Sequence, residues 1–207
     1  MNTEEQILNG AQELFFRYGI KGITMDDVAK HLSMSKRTIY EKFPNKDAII
    51  DILLKQHLEK HLEDFKKFRH SSANAIEEIL MMLQPLKQLF ESMNPRVLLE
   101  LKKFHPHSWE AFQKFKKNAL METLISNMKR GIKEDLYRND IDLNMLAVLR
   151  IEEVELAWNP EVYPPADYNL AKVQICLLEH FLFGITNIKG HGIAEKYKKQ
   201  LNINGLI

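Results

Sequence analysis

The chain has 207 residues, 24.3 kDa, with 29 Lys and Arg against 28 Asp and Glu, a net charge of +1. Hydrophobic residues make up 45 % and charged residues 28 %, ordinary globular usage that excludes wholesale disorder and a fibrous repeat and leaves room for one or two domains. So small a net charge gives no global attraction to nucleic acid or membrane, and any such partner has to be met by a local patch.

The single cysteine, Cys176, excludes an intramolecular disulfide and a thiolate metal cluster, and its place in an apolar run predicts a buried thiol in a reducing compartment. The opening Met1-Asn2-Thr3-Glu4-Glu5 lacks the basic and apolar stretches of a signal peptide. The most apolar window, Ile175 to Ile185, is interrupted by Glu179 and His180. These features predict a soluble, cytoplasmic protein that does not span a membrane. After Gly22 the next glycine is Gly131, so the hairpin turns and phosphate-cradling loops that need positive φ are scarce, and an all-α fold is expected.

In chain order, Ile7, Ala11, Leu14, Phe15 and Tyr18 recur at spacings of three and four and predict an amphipathic helix stopped by Gly19. Thr24 is a good N-cap with Asp27 at the third helical position, so a short helix runs to about Leu32 with Val28, Ala29 and Leu32 inward. Ser33-Met34-Ser35 is a tight break, and Ser35 caps a second short helix through about Phe43 with Ile39 and Phe43 inward. Two short helices joined by a three-residue turn, with small Ala29 at their closest approach, form a helix-turn-helix pattern.

From Lys30 to Lys46 there are five basic residues and one acidic residue, Glu41, so this window is far more positive than the chain. Lys36, Arg37 and Thr38 lie in the first turn of the second short helix, the part that reaches base edges in a major groove, and Arg37 has two donors for a guanine. Tyr40 and Lys42, one turn on, suit phosphates. Asn45 and Lys46 open the following helix, whose free N–H groups suit another.

The run from Gly22 to Ile50, with the amphipathic helix before it, resembles the DNA-binding domain of TetR-family transcriptional regulators. In that family a threonine begins the second helix, as Thr24 does here, a small alanine follows, as Ala29, and the recognition helix ends in a tyrosine and an aromatic, as Tyr40 and Phe43. A lysine then opens the fourth helix, as Lys46. The family's usual turn glycine is replaced by Ser33, which costs about 1 kcal/mol if its φ is positive. The resemblance implies an N-terminal helix-turn-helix domain over 1–46 and a helical effector-binding and dimerisation domain over 47–207. It implies DNA contacts from Thr24, Ser35, Lys36, Arg37, Thr38, Tyr40, Lys42, Asn45 and Lys46, and a homodimer reading a palindromic double-stranded operator.

Beyond residue 46, periodicity predicts a long helix through Phe65, another from Ala75 to Phe90 with a kink at Pro85, and junctions at Met93-Asn94-Pro95 and His105-Pro106-His107. Ser108 to Tyr137 reads as one long helix with Lys114, Lys116, Lys117, Lys129, Arg130 and Lys133 largely outside. Leu143 to Trp158 has helical spacing with some period-two character, Asn159 to Asp167 is a loop, and Leu170 to Ile188 is a helix apolar almost all round. Met81, Met82, Phe90, Phe104, Trp109 and Phe112 are the soft, large side chains from which a pocket for a small apolar or aromatic effector could be built. The resemblance implies that two late helices pair with those of a second copy; the candidates are Leu143 to Trp158 and Leu170 to Ile188, with Val173, Leu177, Phe181, Gly184 and Ile188 on one stripe of the latter.

Two other functional classes compete with this one. An enzyme would have only the histidines to work with. His57 and His61 flank Glu59 in an order unlike the zinc-protease motif, His105 and His107 flank a proline, and no Walker loop, nucleophile elbow or dinucleotide fingerprint occurs, so no cofactor or metal is expected. A ligand-binding or interaction protein on the same scaffold without operator binding would not need the Lys36, Arg37, Tyr40, Lys42 and Lys46 set.

Overall fold

The structure is a computed structural model that describes residues 2–200. Among these no strand forms, and helix follows helix along the chain. They are α1 (Thr3–Tyr18), α2 (Met25–His31), α3 (Lys36–Lys42), α4 (Lys46–Ser71), α5 (Ala75–Met81), α6 (Leu83–Ser92), α7 (Arg96–Phe104), α8 (Pro106–Phe115), a π-helical turn (Lys116–Leu120), α9 (Met121–Lys133), α10 (Leu143–Leu156), α11 (Leu170–Ile185) and α12 (Ile188–Gln200). The chain divides into two compact units, one of residues 1–60 and 92–114, the other of residues 61–91 and 115–207.

In the first unit, α1 starts at Asn2, whose side chain accepts from the Glu5 amide while Glu5 reaches back to the Asn2 amide. It ends at Gly19, whose φ of 87° is open to glycine at little cost. Ile7, Ala11, Leu14 and Phe15 of α1 meet Val28 and Ala29 of α2, Ile39 of α3, Ile49 and Leu53 of α4 and Leu101 of α7 in one core. Each of the larger aliphatic side chains buried there contributes on the order of 2 kcal/mol from surface removed from water. Leu32, expected inward, is half-buried against the same core.

In the second unit Ile76, Ile79 and Leu80 of α5, Leu124 and Met128 of α9, Ala147 and Ile151 of α10 and Ile175, Leu178, Phe181 and Leu182 of α11 form the core. Glu78, only 2 % exposed, lies between Arg69 and Arg130 at 3.0 and 2.8 Å. Buried Asn127 joins two elements, donating to the Ala75 carbonyl and accepting from the Tyr137 hydroxyl.

Several expectations are corrected here. The helix expected over 75–90 breaks at Met82 rather than bending at Pro85, because Pro85 has no N–H and its ring opposes the carbonyl four residues earlier, that of Met81. The single helix expected over 108–137 is α8, a π turn and α9. It stops at Lys133, with Asp135 at a φ of 55° and the Leu136 and Tyr137 amides donating to the Gly131 carbonyl. Two of its cations turn inward: Lys116 is buried on Glu152 and Glu155, and Arg130 serves Glu78 and Glu134. The 170–188 helix ends at Ile185, since Thr186 is extended and bridges Tyr137, with Arg138 N donating to Ile185 O and Asn187 N to Leu136 O. Cys176, expected buried, is exposed, on the side of α11 away from Ile175 and Leu178. Leu143–Leu156 is helical, which settles the period-two ambiguity.

Candidate nucleic-acid interface

Local chemistry fixes the two short helices. The Thr24 hydroxyl accepts from the Asp27 amide, and the Asp27 carboxylate takes both the Thr24 amide (2.8 Å) and hydroxyl (2.6 Å). Those hydrogen bonds, the hydroxyl's first, hold the Asp27 carboxyl below the usual aspartate range. Thr24 is therefore occupied as a cap. The turn that follows carries the positive φ foreseen for its glycine substitute, 53° at Ser33, and is closed by Met34 N donating to Ala29 O at 2.9 Å. Ser35 then caps α3, its hydroxyl accepting from Thr38 N at 3.0 Å and lying 2.8 Å from the Thr38 hydroxyl.

This geometry leaves Lys36, Arg37 and Tyr40 of α3 exposed on one side while Ile39 and, just beyond, Phe43 sink into the core. Arg37 is 88 % exposed by its side chain and pairs with Glu41 one turn on at 2.7 Å. Lys36 pairs with Asp26 of α2 at 2.5 Å, and that hydrogen bond holds its ammonium above the ordinary lysine range. Lys42 lies 3.5 Å from Glu4 of α1. Exposed cations at the start of a recognition helix are suited to base edges, and those farther along to phosphates.

Lys46 stands differently. Its ammonium is half-buried and donates to the carbonyls of Ile20 (3.0 Å) and Ile23 (2.9 Å), fastening the segment between α1 and α2 to the start of α4. Burial lowers its pKa from the ordinary lysine value. Asn45 caps α4, accepting from the Ala48 amide at 2.9 Å. On the same segment Glu100 of α7 accepts from the Ile20 amide (2.6 Å) and the Lys21 amide (2.9 Å). A Cβ on Gly19 would stand 2.9 Å from that carboxylate. Sequence reasoning missed Glu100 and the carboxylates of Glu4 and Asp26, whose partners are remote along the chain.

Of the six residues put forward for a pocket, Met81, Met82 and Phe90 belong to the second unit and Phe104, Trp109 and Phe112 to the first. Phe90 is buried edge-on against Trp158, ring centres 5.4 Å apart. Trp109 and Phe112 lie 5.5 Å apart, and Phe104 is exposed beneath the ammonium groups of Lys21 and Lys103. An open cleft of about 970 Å³ in the second unit is lined by other residues, among them Arg69, Met121, Ile125, Lys129 and Lys133. The stripe put forward for an interface divides too: Val173 and Phe181 are buried in the core of their own chain, Leu177 is half-buried, Gly184 is exposed, and Ile188, 95 % exposed, lies beyond the break at Thr186. An exposed apolar face lies on α10, the other candidate helix, where Met145, Val148, Leu149 and Leu156 point outward.

The four histidines singled out in the sequence are held by carboxylates and rings. His105 and His107 meet Asp47 and Asp51 of α4 at 2.5 and 3.1 Å, His57 stacks on Phe16, and His61 on Phe65. Among the described residues no three His, Cys, Asp or Glu side chains gather as a metal site, and no helix is long and apolar enough to cross a membrane.

Residues 7–52 match the family model described as bacterial regulatory proteins, tetR family. The helix-turn-helix transcriptional regulator YvaF of Bacillus subtilis (strain 168) is 26 % identical over 166 residues, 79 % of this chain and 85 % of that protein. The transcriptional repressor KstR2 of Mycobacterium tuberculosis is 19 % identical over 144 residues, 68 % of this chain and 72 % of its own. The structure of that ketosteroid transcriptional regulator covers 90 % of this chain and 96 % of its own with a TM-score of 0.63 at 18 % identity. A TetR-family regulator from Agrobacterium tumefaciens covers 89 % and 97 %, with a TM-score of 0.72 at 15 % identity. The capped helix-turn-helix, its exposed basic helix and these likenesses agree: residues 7–52 form a DNA-binding domain of the tetR-family type, and over most of its length the chain is similar to transcriptional regulators.

Proposed function

We propose that the protein is a cytoplasmic repressor that binds a palindromic operator as a homodimer and is released by a small apolar or aromatic molecule. The observation that carries the operator reading is the outward presentation of Lys36, Arg37 and Tyr40 on a short helix capped by Ser35 and anchored by Ile39. Arg37 reads a guanine through two donors, Lys36 and Thr38 lie beside it, and Tyr40, Lys42 and the first-turn amides of α4 at Asn45 and Lys46 take phosphates. Thr24 and Ser35 act on DNA through the helices that they cap. Reading is assigned to residues 1–46, and effector binding and dimerisation to residues 47–207.

The homodimer is supported by the apolar face of α10, which leaves Met145 72 % exposed beside Val148 and Leu149, a face that a second copy related by a two-fold axis would cover. Two-fold symmetry then sets two recognition helices on one face of the duplex. A ligand acts by population shift: binding that favours another orientation of α4 carries the recognition helices away from successive grooves, and turning a 1:99 mixture into 99:1 takes about 5.5 kcal/mol of differential affinity. Repression agrees with the named activity of KstR2.

Selection of bound sequences from a random duplex library by the purified protein tests this reading. An inverted repeat with half-sites about one helical turn apart, or a multiple, is the expected result. Arg37→Ala is expected to relax preference at one base position in each half-site, and Tyr40→Phe to weaken all sequences alike. No enrichment, with the parent protein folded, would favour a ligand-binding protein that has kept the scaffold without the operator.

A further inference from the structure

Four of the five cations in the basic window are already engaged in three dimensions. Folding brings Asp26 to Lys36 (2.5 Å), Glu4 to Lys42 (3.5 Å) and Glu41 to Arg37 (2.7 Å), while Lys46 turns onto backbone carbonyls. Two of those carboxylates come from α2 and α1, outside the window in which the positive charge was counted. All six paired side chains stay at least 43 % exposed, so burial does not require the pairs, and exposed pairs of this kind add little to stability. Their effect falls on what approaches the face.

We propose that Glu4, Asp26 and Glu41 are counter-charges that suppress sequence-independent DNA binding and so raise operator selectivity. This rests on the DNA-reading function of α3. Affinity for arbitrary duplex comes from cations neutralising phosphates and releasing counterions. A lysine already held by a carboxylate releases fewer, and the carboxylate itself repels the phosphate backbone at close range. At the operator the geometry of base contact exchanges these internal pairs for hydrogen bonds to bases and phosphates, so the suppression weighs mostly on wrong sites. Specificity is a difference of affinities, and a repulsive element against the unwanted partner widens it.

The test uses Glu4→Gln and Asp26→Asn, singly and together, because both positions lie off the recognition helix and keep the side-chain shape. The full-length protein is titrated with a selected operator duplex and a random-sequence duplex from about 50 to 300 mM salt, with thermal melts to verify folding. Each substitution is expected to tighten binding to the random duplex about fivefold and to steepen the slope of log Kd against log salt by about one, with a smaller gain on the operator, so that the ratio between the two narrows. Random-duplex affinity unchanged within about twofold in the double variant, or a widened ratio, would overturn the proposal. Binding of the parent to neither duplex would overturn the reading of α3 itself, and the inference with it. Should Asp26→Asn loosen α2, the Glu4→Gln variant alone decides, since Glu4 is exposed in the first turn of α1.

Discussion

Replacement of Lys46 by methionine separates two roles that a lysine at the start of α4 can play. In the structure its ammonium donates to the carbonyls of Ile20 and Ile23 at 3.0 and 2.9 Å. The Ile20 carbonyl keeps a second donor, the Ile23 amide at 3.3 Å, so the group left without a partner in Lys46→Met is chiefly the Ile23 carbonyl. A hydrogen bond from a charged donor contributes about 1.5 to 3 kcal/mol, an orphaned carbonyl costs a similar amount, and half-exposure lets water recover part of it. Methionine also relieves the burial of a charge, the same burial that lowers the Lys46 pKa. The net expectation is a loss of about 1 to 2 kcal/mol, a midpoint lower by roughly 2 to 8 °C for a chain of this size.

Denaturant melts of parent and variant measure that loss, and salt titrations of operator binding measure the other role. With the clamp as described, stability falls, operator affinity falls because α2 and α3 are less well placed, and the salt slope stays the same. Burial disfavours the charged amine, so the folded state binds fewer protons than the unfolded one just below the ordinary lysine pKa. The parent therefore gains stability over the variant as pH rises through that alkaline range. An unchanged melting curve together with a salt slope smaller by about one would refute the clamp and return Lys46 to the phosphates.

Leu149→Glu, on the outward face of α10, is expected to leave the monomer's stability within about 0.5 kcal/mol and to weaken self-association at least a hundredfold in sedimentation velocity, and an unchanged dimer would move the interface elsewhere. Gly131→Ala sets a Cβ 2.1 Å from the ring of Tyr137, which is buried and tied by its hydroxyl to Asn127 at 3.1 Å, so a loss of about 2 to 4 kcal/mol is expected in denaturant melts. Burial, and then Lys60, hold the His57 imidazole below its ordinary value, so the folded state lags the unfolded one in taking up protons as the pH falls below 6.5. Stability is lost over that interval in the parent, and the loss is expected to shrink in His57→Phe, which keeps a ring against Phe16. Equal slopes of stability against pH in the two proteins would show that His57 is not the group responsible.

What could be read in the sequence was set by how far each signal reaches along the chain. The caps at Thr24 and Ser35 were legible because hydroxyl, amide and carboxylate lie three residues apart, whereas the left-handed residue at Ser33 was legible only through the resemblance, which has glycine at that place in the turn. The carboxylates of Glu4 and Asp26 were not legible as partners of Lys42 and Lys36, since only packing of α1 and α2 against α3 brings them near. The same holds for buried Lys116, whose carboxylates lie on α10, and for the end of α11, set by pairing of Thr186 with Tyr137.

The reading head and the remainder also differ in what constrains them. A helix that enters a major groove has to be short, capped, anchored on one side and polar on the other, and those demands fall on adjacent residues between Thr24 and Lys46. A helical core admits many apolar stripes of equal merit. Val173 and Phe181 satisfied the spacing of an interface and are core, whereas Met145, Val148 and Leu149 satisfied it equally and are outside. Periodicity identifies which residues share a helix face, but what covers that face depends on the other helices, and α10 is the case in which the described residues leave it open.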